Sequence, residues 1–374
     1  MQKINYLERK QCVINQSELE IISKEKFPLF CGCTEKESDK DLICEEEIAI
    51  SKEGVLQLKK LIPLDLLYKN GHDAGAIGAL WEEHHKEFAN FIMQNHPKNI
   101  LEIGGGHGKL SQNCLEINPE LKYTIIEPNS TKKHNNINYI DSFFKKENIE
   151  QNFDCIVHSH TFEHIYKPLD FLQDCFEVLT GGGIMIFSLP NLQKSLELKS
   201  ANCLCFEHTI FLNENVLEFI LSKSGFKILD KKYFKEHSIF YKVIKDKNAP
   251  YIQLKNEYEK NKKLFLDYKE YYKNRVKKLN EILKNTNASF YLFGAHLFSQ
   301  VLIYNGLELS KIKGILDNNP NKWDKRLYGT PLFVKNPQIL KNQNNSFIIL
   351  SPSIYNEEIK AGLMNITAKI NFLE

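Results

Sequence analysis

The 374-residue sequence has no apolar run near the roughly 20 residues that cross a bilayer, which argues against a membrane-spanning helix. Its first residues, Met1-Gln2-Lys3-Ile4-Asn5-Tyr6, lack the apolar core of a secretion signal, so a cytoplasmic location is expected. An excess of one charge is also missing. Lys plus Arg number 49 against 47 Asp plus Glu, a net charge of +2, which removes the usual electrostatic reason to expect nucleic acid and leaves a small molecule as the expected partner. Nor is there a paired-cysteine framework: the nine cysteines are odd in number and scattered, as reduced thiols would be. Cys12, Cys31, Cys33 and Cys44 crowd one stretch before the first helix, yet only Cys31 and Cys33 are close, and Asn15 stands where a partner for Cys12 would fall. Small thiols without a metal fit that spacing better than a tetrahedral zinc site.

The length suits two or three domains. Ile48, Ile50, Val55, Leu56 and Leu58, interrupted by Gly54, predict short strands in a small N-terminal lobe. Further on, Asn99-Ile100-Leu101-Glu102-Ile103 reads as a strand breaking into Gly104-Gly105-Gly106-His107-Gly108 and then a helix from Lys109. Glycine lets the backbone turn sharply and approach a ligand without a Cβ clash. A second strand ends in Glu127, a third in Asp141, and a fourth spans Phe153 to His160, each separated by helical or loop sequence. This alternation predicts an α/β fold with a doubly wound parallel sheet.

A glycine turn of this kind serves a nicotinamide dehydrogenase as well as a methyltransferase. Two features favour S-adenosylmethionine. Glu102 lies in the strand ahead of the glycines, where a carboxylate faces a pyrophosphate badly but meets a cationic amino group well. After the fourth strand come a helix, the turn Gly181-Gly182-Gly183 and a further strand, an order that resembles class I methyltransferases. The expected cofactor contacts are Glu102, Gly104, Gly106, Glu127, Asp141, His158 and His160, with Glu127 on the ribose diol. A fold that has kept its shape as a binding or scaffold protein without turnover is the competing reading.

Histidines gather where an acceptor would lie, since ligands of parallel α/β sheets sit beyond the carboxyl ends of the strands. His158, His160 and His164 follow the fourth strand; His208 and His237 follow the fifth. Histidine suits proton transfer near neutral pH. Glu163 precedes His164 and Glu207 precedes His208, so the expected catalytic set is His208 as base with Glu207 and His164. The glycine-containing stretch from Leu67 to Gly78 reads as a lid, with Tyr68 and His72 on the substrate and a solvated His84-His85 pair as the plainer alternative.

Tyr68 with the stretch leading to Trp81-x-x-His84-His85, the Glu102-to-Gly108 run, Ser188-Leu189-Pro190-Asn191, Phe206-Glu207-His208-Thr209 and Glu236-His237-Ser238-Ile239-Phe240 together resemble the sugar C-methyltransferase family. The resemblance covers nearly the whole chain. It implies a small N-terminal zinc-binding domain, a class I methyltransferase core and a C-terminal Rossmann-like domain. It further implies that His208 removes a proton α to a keto group of a sugar, that His164 polarises the sugar oxygen, that Glu207 assists, and that Asn191 and His237 join Tyr68 and His72 on the substrate. Two departures stand out. The zinc positions carry Cys12, Asn15, Ile50 and Glu53, so the ligand set is incomplete and no metal is assigned; and Cys205 replaces a tyrosine. Keto, amino and amidino sugars, nucleotide-linked or nonulosonic, are all open as acceptors for C- or N-methylation, and O-methylation is open too.

In the last third, Leu254, Tyr258, Phe265, Tyr268, Tyr272, Val276, Leu279 and Leu283 fall at helical spacing and predict one long amphipathic helix. Its alternating acids argue for a solvated outer face rather than a nucleic-acid surface. Ser289 to Phe293 opening at Gly294, Ile312 to Leu316 ending in Asp317, and Phe347 to Ser351 predict a second Rossmann-like unit, suited to packing or substrate positioning more than to a second cofactor. The expected organisation is 1–66 lobe, 67–250 methyltransferase core with lid, 251–286 connecting helix and 287–374 C-terminal domain.

Overall fold

The structure is a computed structural model and describes residues 4–68, 78–130, 134–353 and 355–374. The N-terminal part is a three-stranded antiparallel sheet of β1 (Leu19–Pro28), β2 (Ile43–Ser51) and β3 (Leu56–Leu58), followed by a single helical turn, Leu64–Leu67. The β2–β3 hairpin turns at Gly54, whose φ is +93°. A Cβ there would stand 2.6 Å from the Glu257 backbone, so only glycine allows this turn to seat against the chain entering the long helix.

The positions implied for zinc carry a hydrogen-bonded knot. Glu53 Oε2 accepts from the Ser17 hydroxyl at 2.7 Å and the Ser51 hydroxyl at 3.1 Å, the Ser17 hydroxyl also lies 2.9 Å from Asn15 Oδ1, and Gln57 Nε2 donates to Cys12 Sγ at 3.2 Å. Burial pushes the Glu53 carboxyl up, but hydrogen bonds from Asn15, Ser17 and Ser51 outweigh it and hold the group below its ordinary value. One thiol, an amide, a carboxylate and the apolar Ile50 are a poor tetrahedral zinc set, and among the described residues no group of three or more close metal-capable side chains includes a cysteine.

The core begins with α1 (Ala79–Met93) and runs through β4 (Asn99–Ile103), α2 (Lys109–Ile117), β5 (Lys122–Ile126), β6 (Asn138–Ile140), β7 (Phe153–Ser159), α3 (Pro168–Val178), β8 (Leu179–Pro190), α4 (Leu192–Glu197), α5 (Glu214–Lys223), β9 (Phe226–Phe234) and β10 (Ser238–Lys245). The seven strands lie in the order β9-β10-β8-β7-β4-β5-β6, all parallel except β10, which runs antiparallel to both neighbours. This is the expected class I methyltransferase sheet. Its strand order reverses between β4 and β7, which puts the glycine turn after β4 at the switch point where such sheets bind ligands. Alternate residues feed opposite layers: Ile100, Cys155, Val157 and Ile186 pack with Phe88, Ile92 and Phe240, whereas Leu101, Ile156 and Phe187 pack with Phe171, Leu172 and Ile220. The expected turn at Gly181–Gly183 is instead an irregular stretch inside β8, because the register with β7 jumps from Phe153–Leu179 to Cys155–Ile184.

α6 (Tyr258–Asn285) buries Phe265, Tyr268, Tyr272, Val276, Leu279 and Leu283 on one face, while Leu254 lies in the segment before it. The second α/β unit follows: β11 (Ser289–Phe293), α7 (Leu297–Tyr304), β12 (Ile312–Leu316), β13 (Val334–Lys335), β14 (Ser346–Ile349), α8 (Asn356–Met364) and β15 (Ile370–Leu373), a parallel sheet in the order β13-β12-β11-β14-β15. It joins the N-terminal sheet region through pairing of Arg326–Leu327 with Cys33–Thr34 and through a buried ion pair, Arg326 Nη1 to Asp41 Oδ2 at 2.5 Å and Nη2 to Oδ1 at 3.0 Å. Among the described residues no helix is long and apolar enough to cross a membrane.

Candidate active site

The turn leaving β4 holds three glycines with positive φ, Gly104 at +73°, Gly106 at +50° and Gly108 at +73°. A Cβ on Gly104 would approach Thr161 Oγ1 to 2.8 Å, whereas one on Gly106 would meet nothing within 4 Å, so Gly106 faces open space. A Cβ on Gly105 would lie 3.1 Å from Glu102 Oε2. Glu102 is thus held beneath the turn, buried, with Oε2 lacking a hydrogen-bond partner, and burial pushes its carboxyl up to about 7 against a hydrogen bond from Tyr123 and with some help from the Glu127 charge. An orphaned buried carboxylate under an open glycine cradle fits a cationic ligand. Glu127 stands just past β5, its Oε1 accepting from the Asn129 amide at 3.1 Å, and Asp141 follows β6 at an exposed position. Thr161, not anticipated from the sequence, closes the cradle from the β7 side, its hydroxyl donating to the Ile103 carbonyl at 3.3 Å.

His158 takes a different place from the one expected. It shares the face of Ile156, fully buried, stacked on Phe187 at 4.8 Å and edge-on to Phe162 and Phe171. Strand alternation sends it into the aromatic core, and burial lowers its imidazolium to about 3. It therefore joins no other site residue.

The expected catalytic residues do come together. Thr209, next to His208, donates its amide to the Glu163 carbonyl at 2.9 Å and its hydroxyl to the Ile165 carbonyl at 2.9 Å, clamping the two loops side by side. The rings of His164 and His208 consequently lie edge to face at 5.2 Å. His208 Nδ1 is 3.1 Å from the Cys203 carbonyl oxygen. A carbonyl only accepts, so Nδ1 carries a proton, and in the neutral form of the ring Nε2 is the nitrogen that can accept one. His164 Nδ1 is 3.3 Å from the Tyr68 hydroxyl and 4.0 Å from Glu207 Oε2, and its Nε2 is 3.8 Å from Glu163 Oε1. Burial, and then the Glu207 charge, push the Tyr68 phenol far up, which keeps it a neutral hydrogen-bond donor. Cys205 is buried, its free thiol in hydrogen-bonding contact with the free thiol of Cys31.

Arg9 has no sequence signal, standing 200 positions from its partner, yet it braces both loops. Its Nη1 donates to the Thr209 carbonyl at 2.5 Å and its Nη2 to the Tyr166 carbonyl at 2.8 Å.

Beside this pair lies a second histidine group. His84 Nε2 meets the Ser188 hydroxyl at 2.9 Å, and the Ser238 hydroxyl is shared by His160 Nε2 at 2.8 Å and His237 Nδ1 at 2.6 Å. Trp81 touches all three rings. The solvated reading of His84 and His85 is thereby overturned: burial lowers them to about 2 and about 4. Asn191 caps α4, its Oδ1 accepting from the Lys194 amide at 3.2 Å, while its own amide donates to the His237 carbonyl at 3.0 Å. His72 lies outside the described residues, as does most of the expected lid.

Residues 77–231 match the family described as a methyltransferase domain. That span carries the glycine turn, the strand-order switch and the Glu207-His208 loop. The chain carries an S-adenosylmethionine-dependent methyltransferase domain. No curated protein matches it. Similar solved structures include the N-methyltransferase NodS from Bradyrhizobium japonicum WM9, at 15% identity over 46% of this chain and 99% of that one, with a TM-score of 0.35. An O-methyltransferase family protein from Burkholderia thailandensis matches at 9% identity over 46% of this chain and 57% of that one, with a TM-score of 0.39. The 1,6-didemethyltoxoflavin-N1-methyltransferase of the same organism, solved with its substrate and S-adenosylhomocysteine, matches at 13% identity over 48% and 84%, with a TM-score of 0.39.

Proposed function

We propose that the chain methylates a carbohydrate at carbon or nitrogen, with His208 as the base. The observation that carries this reading is the tautomer imposed on His208: its Nδ1 proton is committed to the Cys203 carbonyl, so Nε2 is the atom that accepts a proton. From a keto sugar that proton comes from the carbon α to the carbonyl, and the electron pair left behind is the nucleophile. From an amino or amidino sugar it comes from nitrogen. Bound S-adenosylmethionine supplies the electrophilic methyl group. Glu102 beneath the glycine turn would hold its amino group, Gly104 and Gly106 would give it room, and Glu127 and Asp141 would take its nucleoside portion.

His164, with a hydrogen-bonding contact to neutral Tyr68 and carboxylates on either side, is suited to donate to an acceptor oxygen and to steady charge that develops there. Glu207 supports His164 from 4.0 Å. Cys205, buried against Cys31, offers the acceptor no phenol, which is why nitrogen stands beside carbon as the methylated atom. We take residues 1–66, 67–250, 251–286 and 287–374 as lobe, core, connecting helix and C-terminal domain, with the unreacting part of the sugar in the cleft between the α/β halves.

The test is mass spectrometry of products formed from isotopically labelled methyl donor and a panel of keto, amino and amidino sugars, free and nucleotide-linked. Label on carbon or nitrogen of one sugar is the expected result. Label on oxygen replaces the reading with O-methylation, and no labelled sugar from any acceptor overturns it.

A further inference from the structure

We propose that His84, His160 and His237 form a binding site for a divalent transition-metal ion of the zinc type. The three residues come from α1, from the exit of β7 and from the turn between β9 and β10, and their ligating nitrogens lie within 4.8 Å of one another. Their ring centres are 5.3, 5.4 and 5.7 Å apart. In a tetrahedral site with zinc–nitrogen bonds of about 2.0 Å, imidazole centres stand roughly 5.2 Å apart and the nitrogens about 3.4 Å apart. The rings already have the separation such a site requires, and small side-chain rotations bring the nitrogens inward.

The surroundings are those of a histidine site made ready for a cation. His84 is buried and His160 and His237 are half-buried, so the three rings converge in a setting largely screened from bulk water. His84 Nδ1 is buried and has no hydrogen-bond partner. A carboxylate stands near the His160 ring, with Glu163 Oε1 3.7 Å from its Nδ1. The Ser188 hydroxyl lies against His84 Nε2, and the Ser238 hydroxyl against His160 Nε2 and His237 Nδ1.

A second group, Glu163 with His164 and His208, has comparable spacing. There the His208 Nε2 lone pair is reserved for proton transfer and His164 is engaged by Tyr68 and the carboxylates, so the three-histidine group is the better ligand set. An ion there would tie α1 to the ends of β7 and β10 behind the acceptor pocket.

The full-length chain, stripped with chelator and titrated with cobalt(II), tests this. One equivalent is expected to give a tetrahedral visible spectrum with no thiolate charge-transfer band, and zinc is expected to displace it and raise the melting temperature. His237→Asn and His160→Asn are expected to weaken binding by about 100-fold; asparagine is chosen at 160 because φ there is +50°. Ser238→Ala, which removes no ligand, controls for local packing and is expected to keep the ion, as is His164→Asn. Absence of cobalt binding, a thiolate band, unchanged binding in His237→Asn, or loss only in His164→Asn would each overturn the assignment.

Discussion

At His208 the contact between Nδ1 and the Cys203 carbonyl decides which nitrogen is basic, and no feature of the local sequence announces that partner. His208→Asn removes the proposed base without removing bulk; kcat is expected to fall by about 100- to 10,000-fold while calorimetric affinity for the cofactor stays within about twofold. At Glu102 the sequence reading put a carboxylate beside a cation, and the structure adds that the carboxylate is buried and raised to about 7 by that burial. A cation favours the ionised form, so cofactor affinity is expected to fall as pH drops below about 7, by up to about tenfold per unit. Glu102→Gln should flatten that dependence while binding more weakly at pH 8, both measurable by titration calorimetry. The sign for the ligand-free fold is opposite. A carboxyl whose folded value lies above its unfolded value costs stability as pH rises from the ordinary carboxylate range toward about 7, on the order of 3 kcal/mol in full, and a bound cation relieves it.

At the scale of elements, the loops that carry His164 and His208 are held side by side by the amide and the hydroxyl of Thr209. Thr209 joins the loop after β7 to the loop before α5, and Arg9, from the N-terminal lobe, holds the carbonyls of Thr209 and Tyr166 from behind. Arg9→Met keeps much of the volume and leaves those carbonyls short of a donor. It is expected to cost about 2–4 kcal/mol in denaturant melts and to lower kcat with little change in cofactor affinity. Unchanged kcat in a folded variant would show that the loops hold their geometry without this brace. The adjacent pairs Glu163-His164 and Glu207-His208 were legible as motifs. That they face each other was not, because the clamp depends on residues about 45 and 200 positions away.

At the scale of the whole molecule, the parts are joined by specific polar contacts. Arg326 and Asp41, both nearly inaccessible, make a two-point ion pair between the C-terminal α/β unit and the N-terminal lobe. Arg326→Leu strands the Asp41 carboxylate and is expected to destabilise the chain by about 3–5 kcal/mol in chemical denaturation, whereas the double change Arg326→Leu with Asp41→Leu should recover much of that loss. Equal destabilisation in single and double variants would show that packing around Arg326, not the charge pair, joins the units. The knot of Asn15, Ser17, Ser51 and Glu53 works at the same scale. It closes the N-terminal turn by hydrogen bonds where the resembling family implies a metal.

Periodicity and glycine placement were enough to predict both α/β sheets, the glycine turn that follows β4 and the long helix, because strand alternation, positive-φ turns and helical spacing are local properties written in neighbouring residues. Tertiary structure alone decided the rest. It sent His158 into the aromatic core although it lies two residues from His160, drew His84 out of an apparently solvated helix face onto Ser188, and supplied Thr161, Tyr68 and Arg9 as partners of residues far from them in sequence. The physical reason is the same in each case. Which face of a strand or helix is buried, and which distant polar group meets a buried one, follow from how layers pack, and packing is a property of the whole chain.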